Sequence, residues 1–216
     1  MKQKSLLVAS TIAEVSGLVG PIAPYMVTPI NDNWNVLITG VGMVPTVFHL
    51  SQALHEEKYL RIMNIGLAGA INRNLLLEEV VNVIDDEFAF WGSEDNDDYL
   101  SVFDLNLQKV DESPFMNRKI IPLATDFSID TYQKVHGLTV QTVTGSSTSL
   151  LKLNNYYAAD IESMEGAAVF YVANQFGIPA LQLRAISNFV EPRNRESWKI
   201  KEALAALFDA VRSLIA

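Results

Sequence analysis

Cysteine is absent from this 216-residue chain, which excludes disulfides and thiol chemistry. Histidine is scarce as well: His49, His55 and His136 are scattered without metal-ligand spacing, so no bound metal is expected. Positive charge is in deficit, with 16 Lys and Arg against 25 Asp and Glu and a formal net charge of −9. That balance argues against nucleic-acid binding, which runs on cationic contacts to phosphates. No basic tail or cationic amphipathic helix offers itself to anionic lipid. No apolar stretch approaches the ~20 residues of a membrane span. The N-terminal Met1-Lys2-Gln3-Lys4 before Ser5 to Ala13 has the outline of a signal peptide, but Ser10 and Thr11 interrupt it and Glu14 follows at once. It reads better as a first core strand, and the expected location is the cytoplasm.

What is present is a core. Apolar residues make up 49% of the chain and charged ones 19%, enough to fold residues 1–216 as one α/β domain without linker or repeat. Strands are expected at Lys4 to Ala9, Ile22 to Thr28, Asn35 to Thr39, Leu60 to Leu67, Val80 to Trp91, Leu138 to Val143, Tyr157 to Ser163 and Ala180 to Ile186. A helical turn or two is expected over Ile12 to Val19. Pro45 to Lys58 carries helical spacing, with Val47, Leu50 and Leu54 on one stripe. A small-residue helix starts at Glu165 and is ended by Gly177-Ile178-Pro179; the last helix runs from about Glu196 to Leu214. The acidic stretch Ser93 to Asp98 reads as a solvated loop, and Val102 to Pro122 gives no clear pattern. Interleaved strands and helices predict a three-layer α/β/α architecture around a mixed, twisted sheet.

Ligands of such sheets bind at the carboxyl ends of strands. Several polar groups fall there: Ser10 to Glu14, Gly40-Val41-Gly42, Gly66-Leu67-Ala68-Gly69-Ala70, Thr144-Gly145-Ser146-Ser147-Thr148, Glu165 and Ser187-Asn188. Each alone has a plainer reading. Gly40-x-Gly42 lacks the rest of a dinucleotide fingerprint and suits a tight turn. Glu14 suits an exposed first helical turn, Glu165 a favourable partner of a helix dipole, and Asn188 a loop former. The combination at one sheet edge is what points to a site.

In that context Ser163-Met164-Glu165-Gly166-Ala167-Ala168, followed by Arg184-Ala185-Ile186-Ser187-Asn188, resembles the purine nucleoside phosphorylase and nucleosidase superfamily. Glu14-Val15 and Asn64-Ile65-Gly66-Leu67-Ala68-Gly69 fall in matching order along almost the whole chain. The run from Asn188 to Trp198 most resembles the futalosine hydrolases of that superfamily. The resemblance implies a nucleoside phosphorylase-like fold, a homo-oligomer, no cofactor, and hydrolysis of the N-glycosidic bond of a small-molecule nucleoside, here futalosine with release of hypoxanthine.

By the same resemblance Glu14 activates water and Glu165 holds the ribose 2′-hydroxyl. Met164, Ala68, Gly69 and Thr148 contact substrate, and Arg193 or Arg195 meets the carboxylate of futalosine's distal arm. Asn188 stands where adenine-specific relatives carry aspartate. One amide suits a 6-oxopurine, accepting N7–H and donating to O6, and sites that read polar groups discriminate by roughly 10⁴–10⁵. Plainer roles stay open for Met164 and Trp198 as core residues, and for Arg193 and Arg195 as solvated or paired with Glu191 and Glu196. No phosphate-binding Gly-Asp-Pro element is present and Ser10 to Glu14 contains no arginine, which favours water over phosphate. The alternatives are a methylthioadenosine/S-adenosylhomocysteine or inosine-type nucleosidase, a nucleoside phosphorylase, and a non-catalytic purine-binding protein.

Overall fold

The computed structural model describes residues 3–96, 98–127 and 129–215. Met1 and Lys2 of the N-terminal segment and Asp97 of the acidic stretch therefore lie outside the described residues. The strands in chain order are β1 (Ser5–Ala9), β2 (Thr28–Pro29), β3 (Trp34–Ile38), β4 (Ile62–Ala70), β5 (Val80–Phe88), β6 (Gly92–Asp95), β7 (Asp98–Ser101), β8 (Phe115–Met116), β9 (Lys119–Ile120), β10 (Gln133–Thr139), β11 (Ile161–Ser163) and β12 (Ala180–Phe189). The α-helices are α1 (Met43–Glu56), α2 (Ser147–Tyr156), α3 (Gly166–Gln175) and α4 (Ile200–Ile215).

Hydrogen bonding runs β2-β3-β1-β4-β11-β10-β5-β9-β8, and β12 pairs with both β4 and β5. Five strands (β4, β11, β10, β5 and β12) thus close a ring within the mixed sheet. Helices cover both faces, as the three-layer expectation requires. Leu50, Ala53 and Leu54 of α1 and Ala167, Val169, Phe170 and Val172 of α3 share one core with the sheet, and Ala203, Leu207, Val211 and Ile215 of α4 pack on the other side. The period of four in α4 places all four apolar side chains on one stripe. The buried stripe of α1 is Thr46, Leu50, Ala53 and Leu54, whereas Val47 is exposed. No helix among the described residues is long and apolar enough to cross a membrane.

β4 changes neighbour halfway along one edge. It pairs with β1 through Asn64 and with β11 from Gly69 onward, while β12 runs along its other edge. The backbone between those pairings needs other partners, and a crevice opens there between β1 and β11.

Several sequence expectations shift. Ile22 to Thr28 is mostly irregular, since Pro21 and Pro24 remove ladder donors, and only its last residue, Thr28, joins Pro29 in pairing with β3. The acidic stretch takes part in the β6/β7 hairpin rather than in an open loop. β10 starts and ends earlier than Leu138 to Val143, β11 is confined to three residues of Tyr157 to Ser163, and α4 starts at Ile200 after a 3₁₀ turn. Helix α2 was not anticipated; Ser146 is its N-cap, accepting from the Ser149 backbone N–H at 3.1 Å.

A buried polar chain ties α3 to the sheet. The Ala167 N–H donates to Thr139 Oγ1 (2.7 Å), whose hydroxyl donates to Asp86 Oδ1 (2.9 Å), and Gln182 Nε2 donates to Asp86 Oδ2 (3.1 Å). Gly166 has to be glycine here, since a Cβ would overlap Asp86 Oδ2 and stand 2.8 Å from Gln182 Nε2. Burial pushes the Asp86 carboxyl up to about 7, against the pull of these bonds and of Arg184. An unfolded chain releases this proton near about 4, so between about pH 4 and about pH 7 the folded state binds more protons. Unfolding free energy should therefore fall as pH rises through that window. Urea midpoints recorded across it should show a shallower decline in Asp86→Asn than in the wild type; equal slopes would remove Asp86 as the source.

Candidate active site

The crevice beside β4 is a cavity of about 220 Å³ whose walls include Ser10, Glu14, Leu67, Ala68, Gly69, Glu162, Met164, Glu165, Asn188, Arg193 and Trp198. Seven of the nine residues singled out from the sequence are thus brought together. Thr148 and Arg195 are not. Thr148 is exposed in the first turn of α2, and Arg195 sits exposed in the 3₁₀ turn before α4. The cause for Thr148 is the unanticipated helix, which spends the hydroxyl-rich run on capping.

Glu14 is buried rather than exposed. Its Oε2 accepts from Ser10 Oγ (2.6 Å), Thr11 N (2.9 Å) and Thr11 Oγ1 (3.0 Å), a capping-box arrangement in the short 3₁₀ helix Ile12–Glu14. Its Oε1 accepts the Leu67 N–H at 3.2 Å, in the stretch of β4 that neither β1 nor β11 covers. The carboxylate is therefore held from both sides of the crevice. Gly66 gives it room, since a Cβ there would stand 2.6 Å from Glu14 Oε1 and overlap Arg184 Nη1.

Glu165 caps α3, and its Oε1 accepts the Gly42 N–H at 2.9 Å. Gly40 and Gly42 have φ of +87° and +94°, values that favour glycine, so the Gly40-Val41-Gly42 turn serves to aim a backbone donor at this carboxylate. Burial raises the Glu165 carboxyl, while Arg184, with Nη1 3.8 Å from Oε2, and the Gly42 N–H pull it down.

Arg184 is the residue that sequence reasoning left without a role. It is 1% exposed, its Nε donates to Gln182 Oε1 at 2.9 Å, and Nη1 reaches the Leu67 carbonyl at 3.5 Å. A guanidinium inside the apolar run Ala180 to Ile186 was the available signal, because a charge there requires buried partners. Glu162 was also missed; it is buried in the cavity wall with Oε1 accepting the Thr144 N–H at 3.0 Å.

Asn188 is half-buried at the end of β12. A bulge at Ser187 shifts the register so that Asn188, not Ser187, stands opposite Gly69. Its Nδ2 donates to the Phe189 carbonyl (3.0 Å) and its Oδ1 accepts from Ser187 Oγ (2.8 Å), which assigns the amide orientation. One N–H and one lone pair remain. At the mouth, the Arg193 guanidinium lies 5.2 Å from the Trp198 ring centre and Arg195 lies 6.0 Å from it. Among the described residues neither arginine has a carboxylate within ion-pair distance, and Glu191 pairs with Arg73 at 3.0 Å. No group of three or more His, Asp or Glu among the described residues is placed to hold a metal ion.

Three buried carboxylates, Glu14, Glu162 and Glu165, thus meet glycine-lined backbone and an amide at one crevice, an arrangement that suits the cleavage of a nucleoside. The family model of the phosphorylase superfamily matches residues 26–216. Futalosine hydrolase of Streptomyces coelicolor is 32% identical over 189 residues, covering 85% of this chain and 79% of its own. Futalosine hydrolase of Thermus thermophilus is 31% identical over 183 residues, 83% and 80% of the two chains. In fold the chain is similar to a 5′-methylthioadenosine nucleosidase variant of Helicobacter pylori, solved with 5′-methylthioadenosine in its active site (TM-score 0.76, 17% identity, 100% and 99% covered). It is also similar to the futalosine hydrolase of the same organism (TM-score 0.75, 16% identity, 99% and 97% covered). The chain belongs to the phosphorylase superfamily, as an N-glycosyl hydrolase of its futalosine hydrolase family.

Removing the Arg184 guanidinium leaves Glu165 without its cation and Gln182 Oε1 without its nearest donor. Truncating one member of a buried pair costs about 3–5 kcal/mol. Arg184→Leu is expected to lose that much by urea unfolding at neutral pH, and a loss below about 1 kcal/mol would mean the network does not depend on it.

Proposed function

We propose that this chain hydrolyses futalosine, releasing hypoxanthine and leaving dehypoxanthine futalosine, as a step of the futalosine route to menaquinone. The observation that carries the reading is the placement of Glu14, Glu165 and Asn188 on one cavity, with Glu14 and Glu165 held by backbone donors of Leu67 and Gly42. The futalosine hydrolase name of the two bacterial relatives supports the substrate. The chain works as a single domain and as a cytoplasmic homo-oligomer.

In the proposed reaction the bond between the anomeric carbon and purine N9 breaks as water oxygen attacks that carbon. Glu14 takes the water proton. Glu165 accepts from the ribose 2′-hydroxyl, and its negative charge offsets the positive charge that grows on the sugar ring. Met164 and Ala68 pack against the nucleoside. The departing base takes a proton at N7 from solvent water, since the Asn188 amide can accept that N–H but cannot supply it. Asn188 has one lone pair for that N7–H and one N–H for O6, the complement of a 6-oxopurine. Arg193, which has no carboxylate partner of its own among the described residues, pairs with the benzoate of the distal arm, and Trp198 stacks beside it.

Purified protein incubated with futalosine, inosine and methylthioadenosine, with and without phosphate, tests this directly. Hypoxanthine release from futalosine that ignores phosphate is expected. Adenine release from methylthioadenosine would sink the Asn188 assignment, and phosphate dependence would make the enzyme a phosphorylase. Glu14→Gln should lower kcat by about 10²–10⁴ with little change in substrate affinity; near-normal turnover would remove Glu14 as the base.

A further inference from the structure

Three residues on three neighbouring strands share one row. Glu162 of β11 and Asn188 of β12 are both registered opposite Gly69 of β4, one on each edge of that strand. Neighbouring strands lie about 4.8 Å apart, so the two side chains flank a position that carries none. They also face the same way. An ideal Cβ on Gly69 would lie 3.2 Å from Asn188 Nδ2 and 3.5 Å from Glu162 Cγ. The glycine thus forms a flat floor about two strand spacings wide, with an amide at one side and a carboxylate at the other.

The carboxylate is incompletely engaged. Oε1 takes the Thr144 N–H at 3.0 Å, whereas Oε2 is buried and has no hydrogen-bond partner among the described residues. Glu162 is 4% exposed and lies in the wall of the cavity, so this is an orphaned acceptor at the site and not a solvated surface group. Leaving such an atom unpaired is costly, more so for a charged group.

We propose that Glu162 is a specificity-determining residue that accepts the N1–H of a 6-oxopurine lying over Gly69. The proposal rests on the reading of Asn188 above. With N7 and O6 turned to Asn188, the opposite side of the six-membered ring presents N1. In a 6-oxopurine N1 is a donor, matching Oε2; in adenine N1 is an acceptor, and two acceptors would face each other without a proton. Burial pushes the Glu162 carboxyl up to about 7 in the cleft as it stands, and a donor at Oε2 stabilises its ionised form. Asn188 and Glu162 together then read three consecutive atoms of the base edge, N7, O6 and N1.

Calorimetric titration of the full chain with hypoxanthine, 1-methylhypoxanthine and adenine tests the contact without requiring turnover. The wild type should bind hypoxanthine at least about tenfold more tightly than 1-methylhypoxanthine, the size expected for one charge-assisted hydrogen bond. In Glu162→Gln the amide oxygen stays with the Thr144 N–H and turns an NH₂ toward the base. That variant should bring the two affinities near equality and shift the hypoxanthine-to-adenine ratio toward adenine by about tenfold or more. An unchanged ratio in the variant overturns the proposal. If the variant fails to fold, equal wild-type affinities for hypoxanthine and 1-methylhypoxanthine overturn it alone. A wild type with the predicted base preference that leaves futalosine intact sinks the substrate assignment and leaves Glu162 in place. A merely structural Glu162 would weaken all three bases alike.

Discussion

The buried guanidinium of Arg184 is the constraint on which both halves of the site depend. It joins Gln182, and through it the Asp86 and Thr139 chain that fixes the start of α3, to the Leu67 carbonyl and the Glu165 carboxylate. At 1% exposure this cation has acceptors for Nε on β12 and for Nη1 on β4, with the Glu165 carboxylate at the N-terminus of α3 3.8 Å away, while Nη2 has no hydrogen-bond partner among the described residues. Glycine at 66 and 166 makes this possible, since a methyl at either position would occupy the space of the polar groups. The small-residue pattern around Glu165 therefore reflects crowding by a polar network more than helix propensity.

The carboxylates of Glu14 and Glu165 illustrate how backbone geometry and side-chain placement are linked. Both Glu14 and Glu165 accept a backbone N–H, and Glu165 has the charge of Arg184 beside it as well. One is anchored by Ser10, Thr11 and the Leu67 N–H, the other by the Gly42 N–H in a turn with positive φ. The Leu67 N–H is available because β4 exchanges β1 for β11 partway along, which is the same discontinuity that opens the crevice. The topology and the anchoring of Glu14 have one origin here.

The alternation of strands and helices was legible in the sequence because the buried strands are continuous apolar runs and the α4 stripe repeats every four residues. Glu14, Glu165 and Asn188 were legible because each falls at or just after the carboxyl end of a strand. Glu162 was not, since a charged residue inside a three-residue strand looks like an outward-facing position until its neighbours are known. The side on which Asn188 projects depends on the bulge at Ser187, which no periodicity reveals. Thr148 was misplaced for a local reason: Ser146 starts a helix that its polar composition disguised.

The closed ring of β4, β11, β10, β5 and β12 also bears on how this chain behaves among its own copies. Those strands include the three that carry the row of Glu162, Gly69 and Asn188, and because each pairs on both sides their ladders are largely occupied. The open margins of the large sheet fall instead to β2 and β8, strands of two residues each, and β2 contains Pro29, which has no amide proton to offer. An intruding strand would find only a short template at either margin. The strands that line the cavity are thereby kept away from the margins most open to mispairing.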